Sequence, residues 1–425
     1  RKFVGPVPWQ GAGPEAPASF SGVAVIVSGA MARPLRRRDF LLGLLGMPRI
    51  RITRVRLYRS PISRPMINQS FHVVTVETDS GITGIGEGGT PDLIRQAAPL
   101  LIGEDARQTD ALWQLMYRGL FYPAGREMLD AIGALDMALW DIRAKALNVP
   151  LYQILGGKSR EYIECYSTAF PRKGSLRETA RACIEAGFRV YRTSVADPEQ
   201  GAPFDARAMV KRTVEQCREI REGVGADGGW AIDYHTRLDF ADAVRLSAQL
   251  EPLEPVFAED LVRSENKSIY RRLRGAVRLP IAVGEQFGDR WEIHELVEEH
   301  LIDWCRVSLP NCGGITEFMK ICALCETHYV GMAPHFTGPV GEAALVHCLL
   351  GYPGPVLMEM LGDGRRDVAY LPEHYDFRNG KLWPNERPGL GVTFDSSRVP
   401  MLAEVTEGAK PLPIFRRPDG SLTNW

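Results

Sequence analysis

The sequence predicts an α/β protein whose larger part is a closed parallel (β/α) barrel, preceded by a smaller α+β domain. Three observations predict it. From about Cys165 onward, apolar runs of strand length alternate with helix-like stretches. Three of those runs end in an acid, at Asp233, Glu259 and Glu285, and both intervals are 26 residues, the length of one strand, one helix and two loops. Before Cys165 the pattern is instead a hairpin followed by helices.

Residues 1–47 are rich in Gly, Pro and Ala and lack periodicity. The stretch Arg36-Arg37-Arg38-Asp39-Phe40-Leu41-Leu42 resembles a twin-arginine export leader, but charge returns at Arg49 after a short apolar segment and no small-residue cleavage site follows. A disordered extension, or a start at Met47, is the competing reading. From Ile50 alternation begins: Phe71 to Thr78, a turn at Asp79-Ser80-Gly81, then Gly84 to Glu87 read as an antiparallel hairpin. In Ala131 to Ala146, Ile132, Leu135, Ala138, Leu139 and Ile142 share one helical face.

The first barrel strand lies near Tyr166. Ser175 to Glu178 has the spacing of a capping box and opens the first barrel helix. Further strands are expected at Val190 to Val195, Trp230 to His235, Val256 to Asp260, Ile281 to Phe287, Trp304 to Leu309, Gly331 to His335 and Val356 to Met360, eight in all. Such a barrel carries its active site at the C-terminal mouth. The resulting division is an extension or leader at 1–47, an α+β domain at 48–164, the barrel at 165–370, and a tail at 371–425 that folds back on the N-terminal domain.

With 45% hydrophobic and 24% charged residues and a formal net charge of -1, the chain has the balance of an ordinary soluble protein, with no feature favouring a nucleic-acid or membrane partner. The eight cysteines are scattered through apolar or helix-like stretches, which suits buried thiols in a reducing compartment, so a cytoplasmic location is expected. Cys322 and Cys325 form a CxxC without a second pair or a histidine set to complete a zinc site.

Any one acid at a strand end serves equally well as a surface charge or a helix cap. Three at equal spacing, converging on one barrel mouth, cannot all ionise without a cation. Hard oxygen donors favour Mg²⁺ over Zn²⁺. His235, two residues past Asp233, is placed on the same inner face by strand alternation, and His335 ends the seventh strand, so both are candidate acid/base groups. The remaining mouth positions are Arg192 and Ser194, Arg306 and Ser308, and Glu359. A buried arginine there needs an anion, which a substrate carboxylate or the acid cluster itself can supply.

These residues, with Ala134 to Asp141, Pro150 to Gly157, Gly313-Gly314 and Arg387-Pro388-Gly389-Leu390-Gly391, resemble the enolase superfamily in its mandelate racemase/muconate-lactonising group, over about residues 48 to 425. The resemblance implies a modified TIM (β/α)7β barrel with an α+β N-terminal capping domain completed by the C-terminal tail. It implies Mg²⁺ held by Asp233, Glu259 and Glu285, a proton taken from the carbon beside a substrate carboxylate, His335 as base, and Glu359 and Arg192 beside the reacting group. Asp-x-His on the third strand resembles sugar-acid dehydratases, with His235 protonating the departing β-hydroxyl to give a 2-keto-3-deoxy acid. A racemase or epimerase of the same group is the alternative within enzymes; a non-catalytic sugar-acid-binding regulatory protein is the alternative outside them.

Two departures bear on this. Arg192-Thr193-Ser194 replaces the group's second-strand Lys-x-Lys, and an arginine is a poor base. Ser308 replaces the aspartate that orients the seventh-strand histidine, as in the mannonate dehydratase branch, where a loop tyrosine serves; here Phe204 falls at that place. Substrate contacts are expected from Arg306 and, in the capping domain, from Asn68, Gln69, Arg118, Tyr117 and Arg126. The group implies a homo-oligomer, from dimer to octamer.

Overall fold

A computed structural model describes residues 49–61, 70–365, 368–409 and 414–424. The leader-like stretch and the candidates Asn68 and Gln69 lie outside the described residues.

The chain opens with β1 (Ile52–Tyr58), β2 (Val73–Thr78) and β3 (Thr83–Glu87), an antiparallel set in which Val55 faces Val76 and Val74 faces Gly86. The helix Arg126–Ala146 lies across this sheet. Its approach is close because Gly84 and Gly86 lack side chains: a Cβ there would lie 2.0 Å from the carbonyl oxygen of Ala138 and 1.9 Å from that of Ala134. Burial runs around most of this helix, and its three buried acids, Asp130, Asp136 and Asp141, each accept hydrogen bonds. Asp141 accepts from the amides of Ile85 (3.0 Å) and Leu390 (2.8 Å), tying the hairpin to the tail. Asp136 accepts from the amide and hydroxyl of Thr316 (2.8 and 2.6 Å), tying the capping domain to the barrel. Trp113 donates to Gly313 O at 2.8 Å across the same seam.

The barrel begins with β4 (Ile163–Thr168) and β5 (Val190–Ser194), and Ser175 makes the expected reciprocal capping box with Glu178 before the helix Leu176–Glu185. There follow β6 (Gly229–Asp233), β7 (Ala258–Glu259), β8 (Ile281–Val283), β9 (Trp304–Cys305), β10 (Gly331–Met332) and β11 (Met358–Leu361), each parallel to its neighbour. A parallel bridge from Met332 to Val356 and the pairing of β11 with β4 close the ring. Tyr166, Val190, Ala231, Phe257, Ala282 and Leu357 fill its interior. In the tail, β12 (Asp376–Arg378) and β13 (Lys381–Trp383) form a hairpin on β4, and β14 (Met401–Val405) pairs with β1 to complete the capping sheet.

Several strands are shorter than expected. The runs at Ile281, Trp304 and Gly331 leave the ladder after two or three residues. Polar groups at the mouth then take the place of strand partners, as in the hydrogen bond from the amide of Phe336 to Glu359 at 3.1 Å.

Candidate active site

The mouth is built on one register. Ser194, Asp233, Glu259 and Ala282 lie side by side across β5 to β8, so Asp233 and Glu259 stand at the same height. Glu285 follows β8, Arg306 follows β9, and Glu359 lies on β11 opposite Tyr166. Asp233, Glu259 and Glu359 are buried.

Two arginines lace these acids together. Arg306, wholly buried, sets Nη2 at 2.7 Å from Glu259, 3.2 Å from Glu285 and 2.8 Å from Glu359, while Nη1 donates to the Tyr166 hydroxyl and, at 2.9 Å, to Ala333 O. Arg192 donates to Glu259 at 3.1 Å and to Asp233, and lies 3.8 Å from Glu359. Arg192 and Arg306 therefore offset part of the charge of the acid cluster.

Asp260 is the fifth acid of this cluster, and sequence reasoning missed it. Its backbone takes the left-handed conformation (φ 41°), which brings its buried carboxyl beside Glu259 where alternation would turn it away. Carboxylate oxygens of Glu259, Asp260 and Glu285 lie within 4.8 Å of one another. Oδ2 of Asp260 accepts from Gln286 at 2.9 Å, while Oδ1 is buried with no hydrogen-bond partner among the described residues. An orphaned buried oxygen among carboxylates is what a hard divalent cation satisfies, so the residues fit the expected metal. Asp233 is turned elsewhere: Oδ2 accepts from Arg192 and Oδ1 from the amide of His235 at 2.6 Å.

The charges follow from this crowding. Five carboxyls face two guanidiniums. Burial, relieved in part by the arginines, pushes Asp233 up to about 7 and Glu259 up to about 8. Burial also raises Glu359 and Glu285, but Arg306 and Arg192 outweigh it at Glu359, and His335 and Arg306 at Glu285, holding both below the usual carboxylate range. Burial pulls His335 below the ordinary histidine value despite Glu285 and Glu359 beside it.

His335 and His235 both reach the mouth, by different means. His335 Nε2 lies 3.6 Å from Glu285. Strand alternation, contrary to expectation, does not place His235: β6 ends at Asp233, and His235 and Thr236 both adopt positive φ (49° and 56°). The hydrogen bonds from His235 N to Asp233 and from Thr236 N to Asp260 O (3.0 Å) stabilise this turn, which leaves His235 exposed at the lip. Together with Arg192, Glu285 and Glu359, the two histidines line a cavity of about 300 Å³. A second cavity of about 670 Å³ adjoins it through His235, Glu285 and Asn311 and reaches Arg126 and Arg263.

The sequence matches two families over successive segments. Residues 50–156 match the mandelate racemase / muconate lactonizing enzyme N-terminal domain, and residues 175–398 the enolase C-terminal domain-like family. The chain belongs to the enolase superfamily, in the mandelate racemase/muconate-lactonising group.

Members with which it shares most of its length include the D-galactonate dehydratase of Pectobacterium atrosepticum, 32% identical over 88% of this chain and 100% of that one. The D-mannonate dehydratase of a Sphingomonas species is 30% identical over 84% and 96%. An enolase protein from the Sargasso Sea environmental genome superposes with a TM-score of 0.75 at 26% identity, covering 85% of this chain and all of that one.

Not every expected contact of this superfamily member lies at the mouth. Arg118 lines a separate cavity with Arg416 and Arg417, donating to Gln114 at 2.7 Å and to Asn424. Tyr117 stacks between Trp113 and Trp291 and donates to Asp289 at 3.0 Å. Ser308 donates to Asn311 at 3.1 Å, and Phe204 is 43% exposed. All eight cysteines are buried and unbridged. Among the described residues, no helix is long and apolar enough to cross a membrane.

Proposed function

We propose that this chain is a Mg²⁺-dependent dehydratase of a sugar acid, removing the proton beside the carboxylate and expelling the β-hydroxyl to leave a 2-keto-3-deoxy acid. The observation that carries the reading is the pair of histidines on one cavity beside a cluster of carboxylates with an unsatisfied oxygen. The named dehydratase relatives support it.

In this reading His335 takes the C2 proton. Its lowered proton affinity keeps it neutral and able to accept at pH 7. Asp233, Glu259 and Glu285, with Asp260 beside them, would hold Mg²⁺, which supplies positive charge where the deprotonated substrate becomes negative. Arg306 and Arg192 keep Glu359 ionised, so it accepts hydrogen bonds, as it does from Thr168 at 2.5 Å. The electron pair left at C2 forms the C2–C3 double bond as the C3–O bond breaks. His235, at the exposed lip, donates the proton that lets the hydroxyl leave as water. The enol then becomes the keto acid. Arg192 is committed to three carboxylates and so serves as a neutralising cation, not as a base.

A library of aldonic and aldaric acids, incubated with the protein and Mg²⁺ and assayed for 2-keto acid by semicarbazide absorbance, tests this. Product from at least one acid is expected. Binding of an acid without product would instead favour the regulatory reading, and solvent deuterium in recovered substrate without keto acid would favour an epimerase.

A further inference from the structure

We propose that Glu87, carried by the capping domain, is a positioning residue for His335: it fixes the main chain that follows the histidine. The role assigned to His335 rests on the dehydratase reading; the contact itself does not.

Glu87 ends β3, 253 residues from Val340, yet its Oε2 accepts from the amide of Val340 at 3.0 Å. Val340 lies in the first turn of the helix Pro339–Gly351, which follows His335 after three residues. At the near end of the same segment Phe336 N donates to Glu359 at 3.1 Å. Two buried carboxyl groups thus hold the main chain on either side of Thr337 and Gly338, one from the barrel and one from the capping domain. Within the segment the Thr337 hydroxyl donates to Gly338 O at 3.0 Å.

The fit around Glu87 is tight. It is 1% exposed, and a Cβ on Gly338 would lie 2.4 Å from both of its oxygens. The glycine is required by that approach, not by its backbone, since Gly338 has φ of -81°. The other acid on this helix turn, Glu342, is engaged by the Tyr375 hydroxyl at 2.5 Å.

Why the histidine needs this follows from what surrounds its ring. Ser308, where a carboxylate would orient an imidazole most firmly, directs its hydroxyl to Asn311. The ring packs on its neighbour Phe336 at 4.3 Å between centroids and stands 3.6 Å from Glu285. Its direction is set largely by where the main chain puts it, and a misplacement of about 1 Å is enough to cost on the order of a hundredfold in rate. Because Glu87 comes from the capping domain, the histidine is held in register only while that domain is docked.

The test compares Glu87→Ala, which removes the acceptor, with Glu87→Gln, which keeps an acceptor oxygen in place. Glu87→Ala is expected to lower kcat about tenfold or more with KM within about twofold, and Glu87→Gln to restore most of it. In a His335→Asn background Glu87→Ala should change the residual rate no further, because its effect passes through the histidine. An additional loss there, or a Gln variant as impaired as Ala, overturns the proposal. If Glu87→Ala does not fold, Gly338→Ala pushes the carboxyl away from the same turn and should reproduce the pattern. Hydrogen exchange of residues 335–342 supplies a readout free of turnover: faster in Glu87→Ala and unchanged in Glu87→Gln. Equal protection in all three proteins refutes the clamp, whereas a wild type inactive on every acid but showing that exchange pattern refutes only the dehydratase reading.

Discussion

Nη2 of Arg306 stands 2.8 Å from Oε2 of Glu359, and neither side chain is reached by solvent. The same nitrogen serves Glu259 at 2.7 Å, so one guanidinium offsets two buried acids. Replacing it with methionine keeps the volume and strands the ionised Glu359. Removing one partner of a buried pair costs about 3–5 kcal/mol. Urea unfolding of metal-free Arg306→Met should show that loss, and Arg306→Lys, which keeps the charge but not the fork, should lie between it and wild type. A midpoint unchanged in Arg306→Met would mean that the acids are already protonated and need no cation.

Metal binding offers a test of how the acids divide their work. Chelation should abolish turnover and lower the thermal midpoint, and Mg²⁺ should restore both; at a hundred times Kd it contributes about 2.7 kcal/mol. Asp233→Asn, Glu259→Gln and Glu285→Gln should each remove most of the Mg²⁺-dependent stabilisation. Asp260→Asn should weaken binding by about 10–100-fold, the range for a residue that supports ligands from beside them. Calorimetric titration with Mg²⁺ separates the four. If Asp233→Asn binds as wild type while Asp260→Asn does not bind, the metal is held by the three acids whose oxygens already lie together.

Much of this architecture was legible in the sequence, and the reason is periodicity. Asp233, Glu259 and Glu285 recur at one interval because each stands at or just past the end of a strand of the same barrel, and strand register then sets Asp233 beside Glu259. What escaped was set by backbone that leaves the periodic pattern. Asp260 and His235 both have positive φ, so the period-two rule fails at each: it hid the first and placed the second for the wrong reason. Long-range contacts were equally invisible, since Glu87 and Val340 are far apart in sequence. Arg118 was expected to meet substrate as a polar residue of the domain that caps the mouth; the tail returning over its helix gives it Asn424 as a partner.

Stability should vary with pH through acids outside the mouth. Asp130, buried on the helix Arg126–Ala146, accepts from Gly89 N at 2.8 Å, and burial raises it to about 7. Its folded value lies above the unfolded value of about 3.9, so the native state binds the extra proton between them. The stabilisation is full below about pH 4 and is lost as pH rises towards 7. Glu87, raised to about 8, and Asp136, raised to about 7, act in the same direction. Asp130→Asn keeps an acceptor for Gly89 and removes the titration. The fall in unfolding free energy from pH 5 to pH 8 should therefore shrink by about 1–3 kcal/mol in the metal-free variant. An equal fall in unfolding free energy between the two pH values in variant and wild type, read by urea titration, would place the Asp130 carboxyl in its ordinary range.

The two histidines should separate into two steps. His335 faces Glu285 inside the cavity, and His235 stands at the exposed lip on the turn after Asp233. If His335 removes the C2 proton and His235 serves only the leaving hydroxyl, His235→Asn should stop keto-acid formation while C2 continues to exchange with solvent deuterium. His335→Asn should stop both. The expected loss of dehydration is about 10²–10⁴-fold for either variant, the usual contribution of a positioned acid or base. Proton NMR of recovered substrate in deuterium oxide reads exchange, and semicarbazide reads product. Exchange lost in His235→Asn as well would assign both proton transfers to one concerted step, because the C2 proton would then leave only as the hydroxyl departs.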